Sequence, residues 1–550
     1  MFDSKISRKD FLKLMGAGAA AITLGKFLDS PLVRGGSNGG TGAPSSSIFG
    51  QAQAQSGSPS WSNGYLATIN PMHAILLPTG KILAIAGSGY HQSTLAGPYL
   101  AQVVDPPTGS AVSYTLPEDL FCSHHNHLAN GNVLLTGGML KYDVQNPEGR
   151  FLGLASAYEF DVQTNTFQKV QSMAHGRWYP THVILPNGQV WVHDGLDEYG
   201  SRNALVEIYN PATKTFSIRY DPNSAATYSP GADSGLPGAG KKNYGGPGAG
   251  VSPFTSLYPR MHLMPSGQLV VCGMDHFIYL INPTTGAWTL SGQTQYSWRD
   301  YGSSFLLPLN NTTADRGRVM IVGGQSHYLL PSTNTAEMLD FNQGTASAPV
   351  IRPTAPLNIG RVFPLPVILP TGRLVLFGGA ARDTNQYIHT PEMFDPVTES
   401  WSTLPDAGVS RTYHSAALLL PDGRVWTASG TPDRSTWEHR VEFYNPPYYY
   451  AARPQISGRV TVGSYGGTMR IPTTSANITK VSLLRLGSNT HHYDSNLRLV
   501  WLQITNTDSA GITVSAPINP SVAPPGHYMI HILNAQDVPS VAQIVRIGSQ

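Results

Sequence analysis

The sequence predicts an all-β protein: a seven-bladed kelch-type β-propeller followed by a small Ig-like β-sandwich. Three observations predict it. An apolar strand, a turn closed by Gly (Pro-x-Gly in five copies) and a second apolar strand ending in a pair with Gly return seven times. The copies recur every 50 to 55 residues or so, about the length of one four-stranded blade. Composition agrees, with 57 glycines and 43 prolines in 550 residues and only 12% charged residues, as suits short strands joined by tight turns.

The first 56 residues precede the repeat and read as an export signal and flexible leader. Ser7-Arg8-Lys9-Asp10-Phe11-Leu12-Lys13 leads into an apolar run from Leu14 to Leu24. That run is too short to span a bilayer, which takes about 20 residues. It resembles a twin-arginine signal with lysine at the second basic position, and Ala52-Gln53-Ala54 is a candidate cleavage site. The mature chain is therefore expected to be exported and to carry no integral membrane span.

Residues 57–450 hold the seven copies. They are His73 to Gly87, His127 to Gly138, Thr181 to Gly195, Met261 to Gly273, Phe305 to Gly324 with a lengthened turn, Pro366 to Gly379, and Ala416 to Gly430. Most are followed by an aromatic-Asp/Asn-Pro-x-Thr-x-x-Trp/Phe segment such as Phe394-Asp395-Pro396 to Trp401, read as strands three and four. One four-stranded sheet cannot bury both faces alone, and radial packing covers each sheet with the next. The Gly/Pro/Ser-rich stretch from Tyr220 to Pro253 reads as a long surface loop. From residue 451 to 550 the blade pattern gives way to alternating strands without that repeat, about the size of an Ig-like domain.

In a propeller the first strand of each blade lines the axis, so residues at one offset sit at one height. That offset is occupied by Pro71, Cys122, Tyr179, Tyr258, a residue near Tyr301, Phe363 and His414, with Tyr413 just before the last. A phenol, a thiol and a Tyr-His pair thus face the same axial mouth. Imidazoles and phenolates suit Cu(II), which favours tetragonal nitrogen and oxygen sites. Tyr179, Tyr413 and His414 need a second histidine, for which His491 in the C-terminal segment is the candidate and His492 the fallback. A cysteine beside a tyrosine offers further chemistry, since oxidation can join the sulfur to the phenol ring as a thioether and ease formation of a tyrosyl radical.

Phe121-Cys122-Ser123, Arg177-Trp178-Tyr179-Pro180, Arg411-Thr412-Tyr413-His414-Ser415 and Thr490-His491 fall in the order and register of four motifs of the radical-copper oxidases. The sequence resembles that family, the galactose oxidases and glyoxal oxidases, from about Ser60 to the C-terminus, and the Arg-Trp-Tyr-Pro form is similar to the glyoxal oxidase branch. The resemblance implies one copper ion held by Tyr179, Tyr413, His414 and His491. It implies a Cys122–Tyr179 thioether radical cofactor, with Tyr413 as the axial base. The implied reaction oxidises small aldehydes, as hydrates, or primary alcohols with O2 and releases H2O2. One departure stands out: the family's tryptophan stacked on the cross-link has no counterpart near Leu196-Asp197, and Trp298 is the replacement candidate.

Blander readings exist for each residue. Cys122 alone would read as a small buried hydrophobe, and Cys272 reads as packing. His124, His125 and His127 read as pocket-side or solvated histidines, Tyr258 as structural or a pocket wall, and His175 has no task. The competing function is a non-catalytic propeller that binds glycans or a protein partner with a degenerate site. Five spaced residues of these types favour the oxidase. The net charge of +2 gives no electrostatic case for nucleic acid. The expected partners are a small aldehyde or alcohol and O2, with cell-wall glycan as a further candidate.

Overall fold

A computed structural model describes residues 57–548 apart from 90–94, 146–148, 204, 220–256, 274–275, 297–298, 327–330, 383–384 and 432–435. The export leader, the Gly-rich loop and Trp298 therefore lie outside the described residues. Those described form strands, turns and two short 3-10 segments. None of their helices is long and apolar enough to cross a membrane.

Seven of the sheets among the described residues are built on four antiparallel strands, each from one copy of the repeat. Their first strands are His73–Leu76, His124–His127, Thr181–Ile184, Met261–Leu263, Ser303–Leu306, Leu365–Ile368 and Ser415–Leu419. All seven are fully buried, and successive ones touch at most junctions, as in a propeller. The ring closes by a device the repeat pattern did not reveal. The N-terminal strand Ser60–Leu66 pairs antiparallel with Arg440–Asn445 and completes the last sheet.

The small pair that ends each second strand needs glycine for a local reason. Gly324 (φ 88°) and Gly379 (φ 101°) lie in the left-handed region, and a Cβ there would stand 2.7 Å from the Arg299 carbonyl and 2.6 Å from the Val362 carbonyl. The backbone entering its own blade passes at these points, so no side chain fits.

Four blades share a buried ion pair that sequence reading missed. Arg177, Arg299, Arg361 and Arg411, each two residues before a Tyr or Phe of the axial mouth, pair with Glu207, Glu337, Glu392 and Glu442 on the third strand. Each guanidinium also donates to backbone carbonyls beside it, such as Gly378 O for Arg361 and Asp194 O for Arg177. These pairs fix the height at which each first strand begins.

After the ring come two packed sheets. One contains Thr461–Val462, Thr468–Pro472, Gly511–Ser515 and Ile504–Asp508; the other contains Ile478–Arg485, Leu499–Leu502, Gly526–Asn534 and Gln543–Ile547. Their apolar residues share one core with blade residues such as Leu309, Val319 and Leu339. The lengthened turn of the fifth copy has a purpose here. Its Leu309–Asn310 pairs in parallel with Leu499–Leu502, and Asn311 bonds the Ala516 carbonyl and the Ile518 N–H. A finger, Ser488–Thr490, leaves this second unit and pairs antiparallel with His73–Leu76 as a fifth strand of the first blade.

Candidate metal centre

The axial mouth is a ring of residues in an unusual backbone state. Cys122, Tyr179, Tyr258, Tyr301, Phe363 and His414 all have φ between 51° and 68°. A non-glycine residue costs about 1–2 kcal/mol in this region. The cost is met by backbone bonds across blades: the Tyr179 N–H donates to the Cys122 carbonyl (3.0 Å), the Tyr258 N–H to the Tyr179 carbonyl (3.0 Å) and the Phe363 N–H to the Tyr301 carbonyl (2.8 Å). The Cys122 N–H instead donates to His73 Nε2 at 3.2 Å. Six of the seven first strands thus begin with a side chain at the mouth, at the offset the repeat predicted.

Into this ring the finger brings His491. The ligand atoms of Cys122, His414 and His491 lie within 4.8 Å of one another, and Cys122 Sγ is 3.5 Å from His491 Nε2. The Tyr179 and Tyr413 hydroxyls are in hydrogen-bond contact. The Tyr413 ring lies 4.0 Å from that of His414, and the Tyr179 ring 4.8 Å from that of His491. All five residues anticipated from the sequence, Cys122, Tyr179, Tyr413, His414 and His491, are buried and meet in one place. His492, the fallback, is buried beside Phe363 at 5.3 Å and outside the Cys122–His414–His491 cluster.

The residues present fit a copper ion by their chemistry. Thr490 Oγ1 and His491 Nδ1 share a 2.6 Å hydrogen bond, and Thr431 Oγ1 lies 3.3 Å from His414 Nδ1. With Nδ1 of both imidazoles held by a threonine, the Nε2 lone pairs are the ones left for a metal. Burial keeps His491 neutral by lowering its pKa well below the ordinary value, with His414 and His73 adding to the effect. Burial raises the Tyr179 phenol well above its usual pKa, with Cys122 and Tyr413 next in effect, so a bare phenolate there is costly and a cation is the natural compensation.

The walls are aromatic. Tyr179 packs on Trp178 (4.0 Å) and Tyr258 (4.4 Å), and Phe151 lies flat on Trp178 at 4.5 Å with the planes 1° apart. Among the described residues Tyr179 is thus covered by its chain neighbour Trp178 and by Tyr258. Tyr258 proves to be a wall whose hydroxyl donates to the Ser123 carbonyl at 2.7 Å.

The histidines after Cys122 are corrected in one respect: none is solvated. His124, His125 and His127 are fully buried, with His125 Nδ1 bonded to Ser488 Oγ (2.7 Å) and His127 Nε2 to the Leu76 carbonyl (2.7 Å). His125 seats the finger and His127 ties to the neighbouring blade. His175 pairs with Glu198 at 2.9 Å, and Cys272 packs in the core below.

Two family models match the chain: glyoxal oxidase N-terminus over residues 252–448 and galactose oxidase-like early set domain over residues 453–547. A galactose oxidase of Gibberella zeae is 26% identical over 87% of this chain and 69% of its own length. The aldehyde oxidase GLOX of Vitis pseudoreticulata is 25% identical over 81% of this chain and 85% of its own. Among solved structures, a fungal alcohol oxidase in complex with copper is similar at a TM-score of 0.73 and 21% identity, covering 90% of this chain and 100% of that one, a likeness of fold.

Proposed function

We propose, from the premise that this chain belongs to the galactose oxidase and glyoxal oxidase family, that it is an exported mononuclear copper oxidase of small aldehyde hydrates or primary alcohols. The observation that carries the reading is the meeting of two phenols, two imidazoles and a thiol at one buried mouth. In this reading residues 57–450 supply all of the site but one ligand, and residues 451–550 supply His491.

Bound copper would supply one-electron redox chemistry and Lewis acidity at Tyr179, Tyr413, His414 and His491. The chain's own residues do the rest. Tyr413 stands against both Tyr179 and His414, where it receives the proton of the substrate hydroxyl. Once joined through sulfur to Cys122, the Tyr179 ring would be the group that takes the hydrogen from the substrate carbon. Overall, two electrons and two protons leave the substrate and reduce O2 to H2O2. The cross-link balances in the same way: the thiol hydrogen and one ring hydrogen are lost, and O2 takes them up as H2O2. Trp178, Tyr258 and Phe151 keep water from the ring that carries the radical.

The test is peptide mass mapping after anaerobic copper loading and then air. The expected result is that peptides carrying Cys122 and Tyr179 are joined with two hydrogens lost, and that Cys122→Ser leaves them separate. Separate peptides in the copper-bound protein refute the radical mechanism and favour a propeller that only binds its partner.

A further inference from the structure

Two residues past Tyr258, a wall of the metal centre, lies a cation that no carboxylate among the described residues neutralises. Arg260 is 2% exposed and sits two residues after Tyr258, at the head of the first strand Met261–Leu263. Four other buried arginines of the blades meet a glutamate. Arg260 meets no carboxylate among the described residues. Buried Arg498, also without an acid, directs its N–H groups at the Leu263, Ser521 and Val522 carbonyls, and Arg485 uses two proline carbonyls and the Tyr528 hydroxyl. Arg260 has one such bond, from Nη2 to the Gly302 carbonyl at 3.2 Å, and its Nε and Nη1 are buried without a partner.

Its surroundings repeat the pattern. The guanidinium lies 4.6 Å over the Tyr493 ring, and the His124 ring lies 6.1 Å from the same ring. His124 is fully buried with neither nitrogen bonded. Arg260 acts electrostatically on that imidazole. Burial lowers the Arg260 pKa to about 10, which still leaves it charged near neutrality. A buried charge without a counter-charge is costly, and each unmade hydrogen bond adds to that cost. The Tyr258 phenol cannot compensate it, because its proton is committed to the Ser123 carbonyl.

We propose that Arg260 and His124, which flank the Tyr493 ring, form a binding site for one small monovalent inorganic anion of the halide class. The anion takes the free Nε–H and Nη1–H of Arg260 and one N–H from the His124 imidazole, since a neutral ring has one donor to offer. A halide fits where a carboxylate does not, because it accepts from several directions and brings no chain of its own.

The experiment uses the full chain without copper, so its outcome is independent of the oxidase reading. Crystals grown in sodium bromide are measured at the bromine edge, and unfolding temperature is followed against sodium bromide and sodium gluconate, a carboxylate too bulky for the site, at constant ionic strength. The expected result is an anomalous peak within hydrogen-bonding reach of Arg260 Nε and Nη1, with bromide raising the unfolding temperature of the native protein. Arg260→Gln loses the peak and the bromide-specific rise. His124→Leu keeps Arg260 and weakens both. A water-only density at Arg260, or a bromide response that Arg260→Gln retains, overturns the proposal; if Arg260→Gln does not fold, the native crystal decides.

Discussion

Replacing Thr490 with Val tests whether the finger's hydroxyl sets the metal affinity of His491. The hydroxyl bonds His491 Nδ1 at 2.6 Å, and both residues are within 1% of full burial, so no water can replace it. Valine keeps the β-branched shape that the strand Ser488–Thr490 needs. The imidazole then loses the partner that fixes its tautomer and ring angle. Loss of such a partner lowers metal affinity about 10- to 100-fold, or about 1.4–2.7 kcal/mol. The cost of leaving a buried nitrogen unbonded, about 1–3 kcal/mol, brackets the same range. Thr431 is the internal control. Its hydroxyl is farther from His414 Nδ1, at 3.3 Å, and is shared with the Tyr413 carbonyl at 3.2 Å, so Thr431→Val has the smaller effect. Copper(II) competition against a chelator under nitrogen gives the affinities, and the copper electron paramagnetic resonance spectrum reports the changed nitrogen geometry. Native affinity and an unchanged spectrum in Thr490→Val would refute the reasoning, as would a larger effect at Thr431.

Two further outcomes follow from the buried charges. Glu392 is fully buried and accepts from Arg361, the Asn358 N–H and side chain, and the Ile359 N–H, so Glu392→Ala strands the Arg361 cation and costs about 3–5 kcal/mol in denaturant unfolding; the pair Arg361→Met with Glu392→Leu recovers most of the loss. The pH dependence comes from the buried imidazoles. His262, bonded to Ser304 at 2.8 Å, is pulled by burial to about 3, below its unfolded value of about 6.5. A depressed histidine binds its proton more readily in the unfolded chain, so its stability contribution is full above about pH 6.5 and is lost as pH falls toward 3. His73 and His127 titrate in the same sense. Stability of the metal-free protein therefore declines below about pH 6.5, and His262→Gln lowers that slope by up to about 1.4 kcal/mol per pH unit.

The repeat made the blades legible, because period and turn chemistry are local properties of the chain. It also made the mouth legible. Cys122, Tyr179, Tyr258, Phe363 and His414 share one offset, and the structure gives them one backbone state. What escaped sequence reading depends on pairing between distant segments. The strand Ser60–Leu66 carries no mark that its partner is Arg440–Asn445. The glutamates of the third strands look like ordinary surface residues until the arginines behind the axial residues turn inward to meet them. The histidines after Cys122 read as half solvated because alternation along a strand does not reveal that a finger from elsewhere fills the axis. Trp178 was passed over because its contact with Tyr179 depends on Phe151, which arrives from the neighbouring blade.

The finger that carries His491 has a consequence for timing. Synthesis runs from the N-terminus, and the strand that closes the ring, Arg440–Asn445, is made before residue 491. A nascent chain can therefore close its ring with three of the four proposed ligands, Tyr179, Tyr413 and His414, in place and still lack the fourth. The finger must then thread back to the first blade, beside strand His73–Leu76, at the opposite end of the chain. On the proposed ligand set, full-strength copper loading thus waits on the completed polypeptide. A chain cut short after the ring keeps Tyr179, Tyr413 and His414 but never receives His491, so it lacks the full proposed ligand set.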